Sequence, residues 1–120
     1  MSERPILVID DDPAIRATVA DILASEGYMV ATAPNGAEGL DSLEQIGPAL
    51  VLLDMRMPKL DGWGFARALH SRGIKVPILV MTAAQDARRW AQEIDAQGYV
   101  AKPFDLLDLL DAVGRFVPPG

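Results

Sequence analysis

The chain has 120 residues, half of them apolar, a net charge of −6 and no cysteine. That length suits one domain with its own core, and the apolar content excludes a disordered chain. The acidic balance disfavours a nucleic-acid face or binding to anionic membrane, both of which need clustered Lys and Arg, and the missing thiols exclude disulfides and thiolate metal sites.

The predicted elements alternate from the start. The chain enters through Met1-Ser2-Glu3-Arg4-Pro5, without the apolar region of a signal peptide. Ile6 to Ile9 reads as a strand, wholly apolar as expected when both faces are covered. Asp12-Pro13 opens a helix, since Asp caps well and Pro is tolerated in the first turn. Ile15, Val19, Ile22 and Leu23 keep helical spacing as far as Gly27. Tyr28 to Thr32 is a more polar strand, expected at an edge. Asn35-Gly36 marks a turn, and Ala37, Leu40 and Leu43 continue as a helix to Gly47-Pro48.

The third strand is predicted over Ala49 to Leu53, followed by the loop Met55-Arg56-Met57-Pro58-Lys59-Leu60-Asp61-Gly62. A helix then turns Phe65, Ala66 and Leu69 inward and closes at Gly73. Val76 to Met81 is the fourth strand and Asp86 to Asp95 a short helix, in which Trp90 is expected as half-buried packing. Tyr99 to Ala101 is a brief fifth strand. Asp105 caps a last helix whose stripe is Leu106, Leu109, Leu110, Val113 and Phe116. Five strand–helix units imply an α/β fold with parallel strands, right-handed crossovers and helices on both faces. No apolar run approaches the ~20 residues of a membrane span. One soluble, cytoplasmic domain over residues 1–120 is expected, with residues 117–120 as a tail or the start of a linker.

The chemistry lies at the strand ends. The first strand runs into Asp10, Asp11 and Asp12, the third into Asp54, the fourth into Thr82, and the fifth into Lys102-Pro103. In a parallel sheet these ends share one edge, where open α/β folds bind ligands. Carboxylates, a hydroxyl and an ammonium there suit a divalent cation and a phosphoryl group. Like charges at ~4 Å repel by roughly 4 kcal/mol at an effective dielectric of ~20, so the acid triplet must be solvated, partly protonated or neutralised by a cation. Mg2+ takes oxygen ligands and retains water, which makes Asp10 and Asp11 candidate ligands and Asp12 the helix cap. Each residue taken alone has an ordinary reading: a solvated helix start, a strand-end hydroxyl bonded to backbone, a surface lysine.

The stretches ILVIDDDP, LVLLDMRMPKLDG, MTA at Met81 to Ala83 and YVAKPF, in this order and spacing, resemble the receiver domain of two-component response regulators over essentially the whole chain. The resemblance implies a doubly wound (βα)5, flavodoxin-like fold with a five-stranded parallel sheet in order 2-1-3-4-5. It implies Asp54 as phosphoacceptor, and Mg2+ (or Mn2+) held by Asp10, Asp11, Asp54 and the backbone carbonyl of Arg56. Lys102 would pair with a phosphoryl oxygen, Thr82 and the Ala83 N–H would bond the arriving group, and Tyr99 would be the aromatic switch residue moving inward with Thr82. A cis Lys102-Pro103 bond is also implied.

As partners the resemblance implies a sensor histidine kinase or phosphotransfer protein, and a downstream protein target or an output domain outside this chain. It implies no multi-turnover enzyme. A homodimer through the fourth helix, fifth strand and fifth helix is a further expectation: Asp108, Asp111, Arg115, Arg88 and Arg89 could pair across it, against the plainer reading of a solvated surface.

Some positions depart from common forms of the family. Arg56 and Ala84 occupy places that tune dephosphorylation, Asp95 stands where glycine is usual, and Trp63 and Trp90 are unusual additions. Three rival readings fit less well. A haloacid-dehalogenase-type phosphatase would use Asp10 and Asp12, but Pro13 follows directly, no acidic strand-end pair appears after Lys102, and a cap domain has no room. A flavodoxin needs a Ser/Thr/Gly-rich phosphate loop where three aspartates stand. A degenerate receiver would bind partners without phosphorylation, yet every phosphorylation residue is present.

Overall fold

Apolar strands with side chains alternating between two faces need cover on both, and the computed structural model, which describes residues 4–118, provides it. The elements are β1 (Ile6–Ile9), α1 (Pro13–Ser25), β2 (Val30–Ala33), α2 (Gly36–Ile46), β3 (Leu50–Asp54), α3 (Gly62–Ser71), β4 (Ile78–Ala83), α4 (Ala84–Glu93), β5 (Gly98–Lys102) and α5 (Leu106–Gly114). The five strands pair in parallel in the order β2-β1-β3-β4-β5, with β2 at an edge as expected.

The alternation divides the core. Leu7, Ile9, Val51, Leu53 and Val80 pack with Leu40 and Leu43 of α2, Phe65 and Leu69 of α3, and Trp90 and Ala91 of α4. On the other face Ile6, Val8, Leu50, Leu52, Leu79 and Met81 pack with Val19 and Leu23 of α1 and Leu109 and Val113 of α5. Four helices begin at side-chain caps: Asp12, Asn35, Asp61 and Asp105 each accept a backbone N–H from the first turn. Helix α4 begins after Ala83 without a side-chain cap.

Several boundaries differ from the sequence reading. β2 begins at Val30, two residues late, because Tyr28 turns into the core and donates its hydroxyl proton to the Val117 carbonyl at 2.6 Å. β4 begins at Ile78 rather than Val76, since Pro77 has no N–H to enter a ladder. It runs on through Thr82 and Ala83, which pair with Ala101 and Lys102 of β5. Helix α4 starts at Ala84, two residues before Asp86. Leu106, expected in the buried stripe of α5, is the first residue of that helix and is 49% exposed. Trp90, expected half-buried, is only 5% exposed. Asp95 takes the left-handed conformation (φ 55°) that explains glycine's usual preference there. Residues 1–3 and 119–120, which include most of the predicted entry segment and the end of the tail, lie outside the described residues.

Candidate functional site

The site begins where the sheet stops. Asp10 directly follows β1, and its N–H still donates to the Ala33 carbonyl of β2 at 3.2 Å. Asp54 is the last residue of β3 and pairs with Met81 of β4. Thr82 follows Met81 and is buried, and Lys102 ends β5. Strand pairing alone therefore delivers two carboxylates, a hydroxyl and an ammonium to one edge. Asp11 joins them from the β1–α1 turn, exposed to solvent.

Carboxylate oxygens of Asp10, Asp11 and Asp54 lie within 4.8 Å of one another. Lys102 spans two of them, with its ammonium 3.0 Å from Asp10 Oδ2 and 3.8 Å from Asp54 Oδ1. Asp10 is fully buried, and its Oδ1 accepts the Asp12 N–H at 2.9 Å. The Arg56 N–H approaches Asp54 Oδ1 at 3.3 Å. Asp12 faces the helix instead, accepting from the N–H groups of Ala14 and Ile15.

Burial pushes the Asp54 carboxyl up to about 7, and the neighbouring Asp10 charge adds to the effect. Lys102 and the Arg56 N–H oppose that rise without cancelling it, while a hydrogen bond with Asp11 reinforces it. An ionised Asp54 is thus short of positive charge in this pocket. An all-oxygen donor set with a carboxylate in that condition fits a hard divalent cation such as Mg2+ or Mn2+. With only one histidine and no cysteine in the chain, it does not resemble a zinc site.

Ala83 closes β4 at the exposed rim, directly before α4. Tyr99, on β5 opposite Val80, is 45% exposed, with its ring at the surface rather than in the core. The Lys102-Pro103 peptide bond is cis. Of the charged side chains that were candidates for pairing across a dimer, some pair locally instead: Arg89 with Asp86 at 2.9 Å and Arg115 with Asp111 at 2.9 Å.

Two contacts beside the pocket have no sequence signal. Arg16, one turn into α1, donates from Nη1 to the Asp10 carbonyl at 2.7 Å and fixes the turn that carries the acid cluster. The Arg56 guanidinium stacks 5.0 Å from the centroid of the Trp90 ring on α4. Only the cap-like Asp-Pro start hints that the first turn of α1 faces this edge.

The family model for the response regulator receiver domain matches residues 6–114. The response regulator MprA of Mycobacterium sp. (strain KMS) is 42% identical over 107 residues, covering 88% of this chain and 46% of that protein. The chain thus spans about half the length of the curated relatives it matches. Among solved structures, the Vibrio cholerae chemotaxis protein CheY4 superposes with a TM-score of 0.86 at 28% identity, over 97% of this chain and 100% of that one. A response regulator signal receiver domain from Bermanella marisrubri gives 0.85 at 33% identity, over 96% and 98%.

Proposed function

The chain belongs to the response regulator receiver domain family, and from that premise we propose that Asp54 accepts a phosphoryl group from the phosphohistidine of a sensor kinase or phosphotransfer protein. The observation that carries this reading is the placement of Asp54 at the end of β3, within 3.8 Å of Lys102 and clustered with Asp10 and Asp11.

A carboxylate oxygen of Asp54 attacks phosphorus as the P–N bond of the donor breaks, and the departing imidazole nitrogen regains a proton from water. Such transfers depend on positioning and charge stabilisation more than on covalent help from the protein. Asp10, Asp11, Asp54 and the Arg56 carbonyl are the residues that would hold Mg2+ (or Mn2+). When bound, the ion supplies charge neutralisation for the acceptor and the transferring oxygens. Lys102 exchanges part of its pairing with Asp54 for a phosphoryl oxygen while keeping Asp10. The product is a mixed anhydride, which water cleaves, so the modified state is temporary. The domain acts on itself and is not a multi-turnover enzyme.

The signal leaves through β4. Thr82 donates its hydroxyl, and Ala83 its N–H, to the new phosphoryl oxygens. Because α4 begins immediately after Ala83 with no side-chain cap, its first turn follows that movement readily. Tyr99, outward in this state, moves in behind Thr82 and alters the face made by α4, β5 and α5. A local charge event thereby biases a two-state surface. That surface regulates a protein target, a second copy of the domain, or an output domain continuing from it. Residues 1–120 form the receiver unit in this reading, and its place of action is the cytoplasm; among the described residues no helix is long and apolar enough to cross a membrane.

Incubation with acetyl phosphate and Mg2+, followed by intact-mass measurement, tests the proposal. One phosphoryl adduct, lost in Asp54→Asn and on removal of Mg2+, is the expected result. No adduct would leave a binding module without phosphorylation. Release of inorganic phosphate from unrelated esters would indicate a phosphatase.

A further inference from the structure

Trp90 and Trp63 build an aromatic bracket beside the acceptor loop. Their rings meet edge to face, with centroids 4.9 Å apart, and Trp63 Nε1 donates to Glu93 Oε1 at 2.8 Å. The bracket joins α3 to α4. Onto it folds Arg56, whose guanidinium lies 5.0 Å from the Trp90 centroid and forms no ion pair among the described residues. Trp90 is nearly buried, so its ring is fixed, whereas Arg56 is exposed and free to move. The arginine is therefore stacked on α4 while its backbone N–H points to Asp54.

We propose that the Arg56–Trp90 stack is a latch between the acceptor loop and helix α4, released when a phosphoryl group on Asp54 draws the guanidinium away. The proposal rests on the acceptor role of Asp54. A ring face attracts a guanidinium through its quadrupole. A phosphoryl dianion two residues away offers charge-assisted hydrogen bonds, which are stronger. Because one side chain cannot satisfy both, the stack and the phosphoryl group compete. By linkage, whatever strengthens the stack weakens binding of a phosphoryl mimic, and occupancy of the pocket frees α4 from the β3–α3 loop. The latch thus provides a connection to α4 separate from Thr82.

The test is a double-mutant cycle on the affinity of beryllofluoride, a tetrahedral mimic of the acyl phosphate, at saturating Mg2+. Trp90→Phe preserves an aromatic ring for packing but holds a cation less strongly. Beryllofluoride should bind Trp90→Phe about two- to five-fold more tightly than the parent protein. In an Arg56→Met background the same substitution should leave affinity unchanged. Arg56 is exposed, so that background keeps the fold, and melting curves of all four proteins verify it. Unchanged affinity in Trp90→Phe, or a gain that persists without Arg56, overturns the latch while leaving the acceptor reading intact. Failure of the parent protein to bind beryllofluoride and to gain a phosphoryl adduct overturns both.

Discussion

Lys102 lies closer to Asp10 than to Asp54, at 3.0 Å against 3.8 Å. The nearer partner is fully buried, so the ammonium compensates a carboxylate that water cannot reach. Lys102 is in this respect a structural counter-ion as well as a candidate phosphoryl ligand.

Removing that counter-ion should cost stability. Breaking a buried pair by deleting one member costs about 3–5 kcal/mol, but Lys102 is partly exposed, so Lys102→Met should lose about 1–3 kcal/mol. Urea unfolding in the presence of a chelator measures it. Adding Mg2+ should recover part of the loss, because a cation can replace the missing charge. No loss would mean that solvent compensates Asp10.

The pH dependence follows from Asp54. Its folded value of about 7 exceeds the ordinary 3.8 because burial, then Asp10, disfavour the charged form. The folded protein therefore holds a proton that the unfolded chain releases. This contribution is most favourable below about pH 4, declines as pH rises towards 7, and levels off above that. A pKa unit is worth about 1.4 kcal/mol. With access to water at the mouth of the pocket reducing the full effect, Asp54→Asn should be more stable than the parent by about 1–3 kcal/mol at pH 8. The difference should shrink towards pH 4. Denaturation of both proteins in chelator at several pH values provides the comparison; a difference independent of pH contradicts it.

Mg2+ should reverse that trend. A cation that binds only the folded state stabilises by about 2.7 kcal/mol at a hundredfold excess over its Kd. Protons compete for Asp54, so the rise in Tm should be larger at pH 8 than at pH 5. Asp11→Ala removes an exposed carboxylate and some repulsion, and should fold well while losing most of the Mg2+ response. An undiminished shift in Asp11→Ala would remove that residue from the ligand set.

Gly62, at the start of α3, should not accept a side chain. A Cβ there would stand 2.9 Å from the Met55 Cα, and Met55 directly follows Asp54. Alanine usually favours a helix over glycine by about 1 kcal/mol. Here the collision with backbone should exceed that gain, giving a net loss of about 1–2 kcal/mol in Gly62→Ala. Urea titration decides the sign, and a net gain would show that the loop can yield.

Much of this organisation was legible because it is periodic or local. Ile6 to Ile9 is apolar and short, and its bounds were read correctly. Asp12, Asn35 and Asp105 stand beside turn-forming or helix-starting residues, and all three cap helices. Strand ends missed by two residues were decided by neighbours: Tyr28 left β2 for a carbonyl near the other end of the chain, and Pro77 delayed β4. Leu106 has the spacing of a core residue, yet it stays exposed while Leu109 and Val113 of the same stripe are buried, and spacing along a helix does not say how much of its length is covered.

The sequence by itself determined the βα alternation, the polar strand ends and hence the edge at which chemistry collects, because strand and helix periods and caps act over a few neighbouring residues. Tertiary structure alone decided that Lys102 favours Asp10 over Asp54, that Arg16 holds the Asp10 carbonyl, and that Arg56 rests on Trp90. Those contacts are made by long side chains that reach back across a turn or between elements distant in the chain. Their partners are set by distances in space, and no pattern of residue types along the chain encodes such distances.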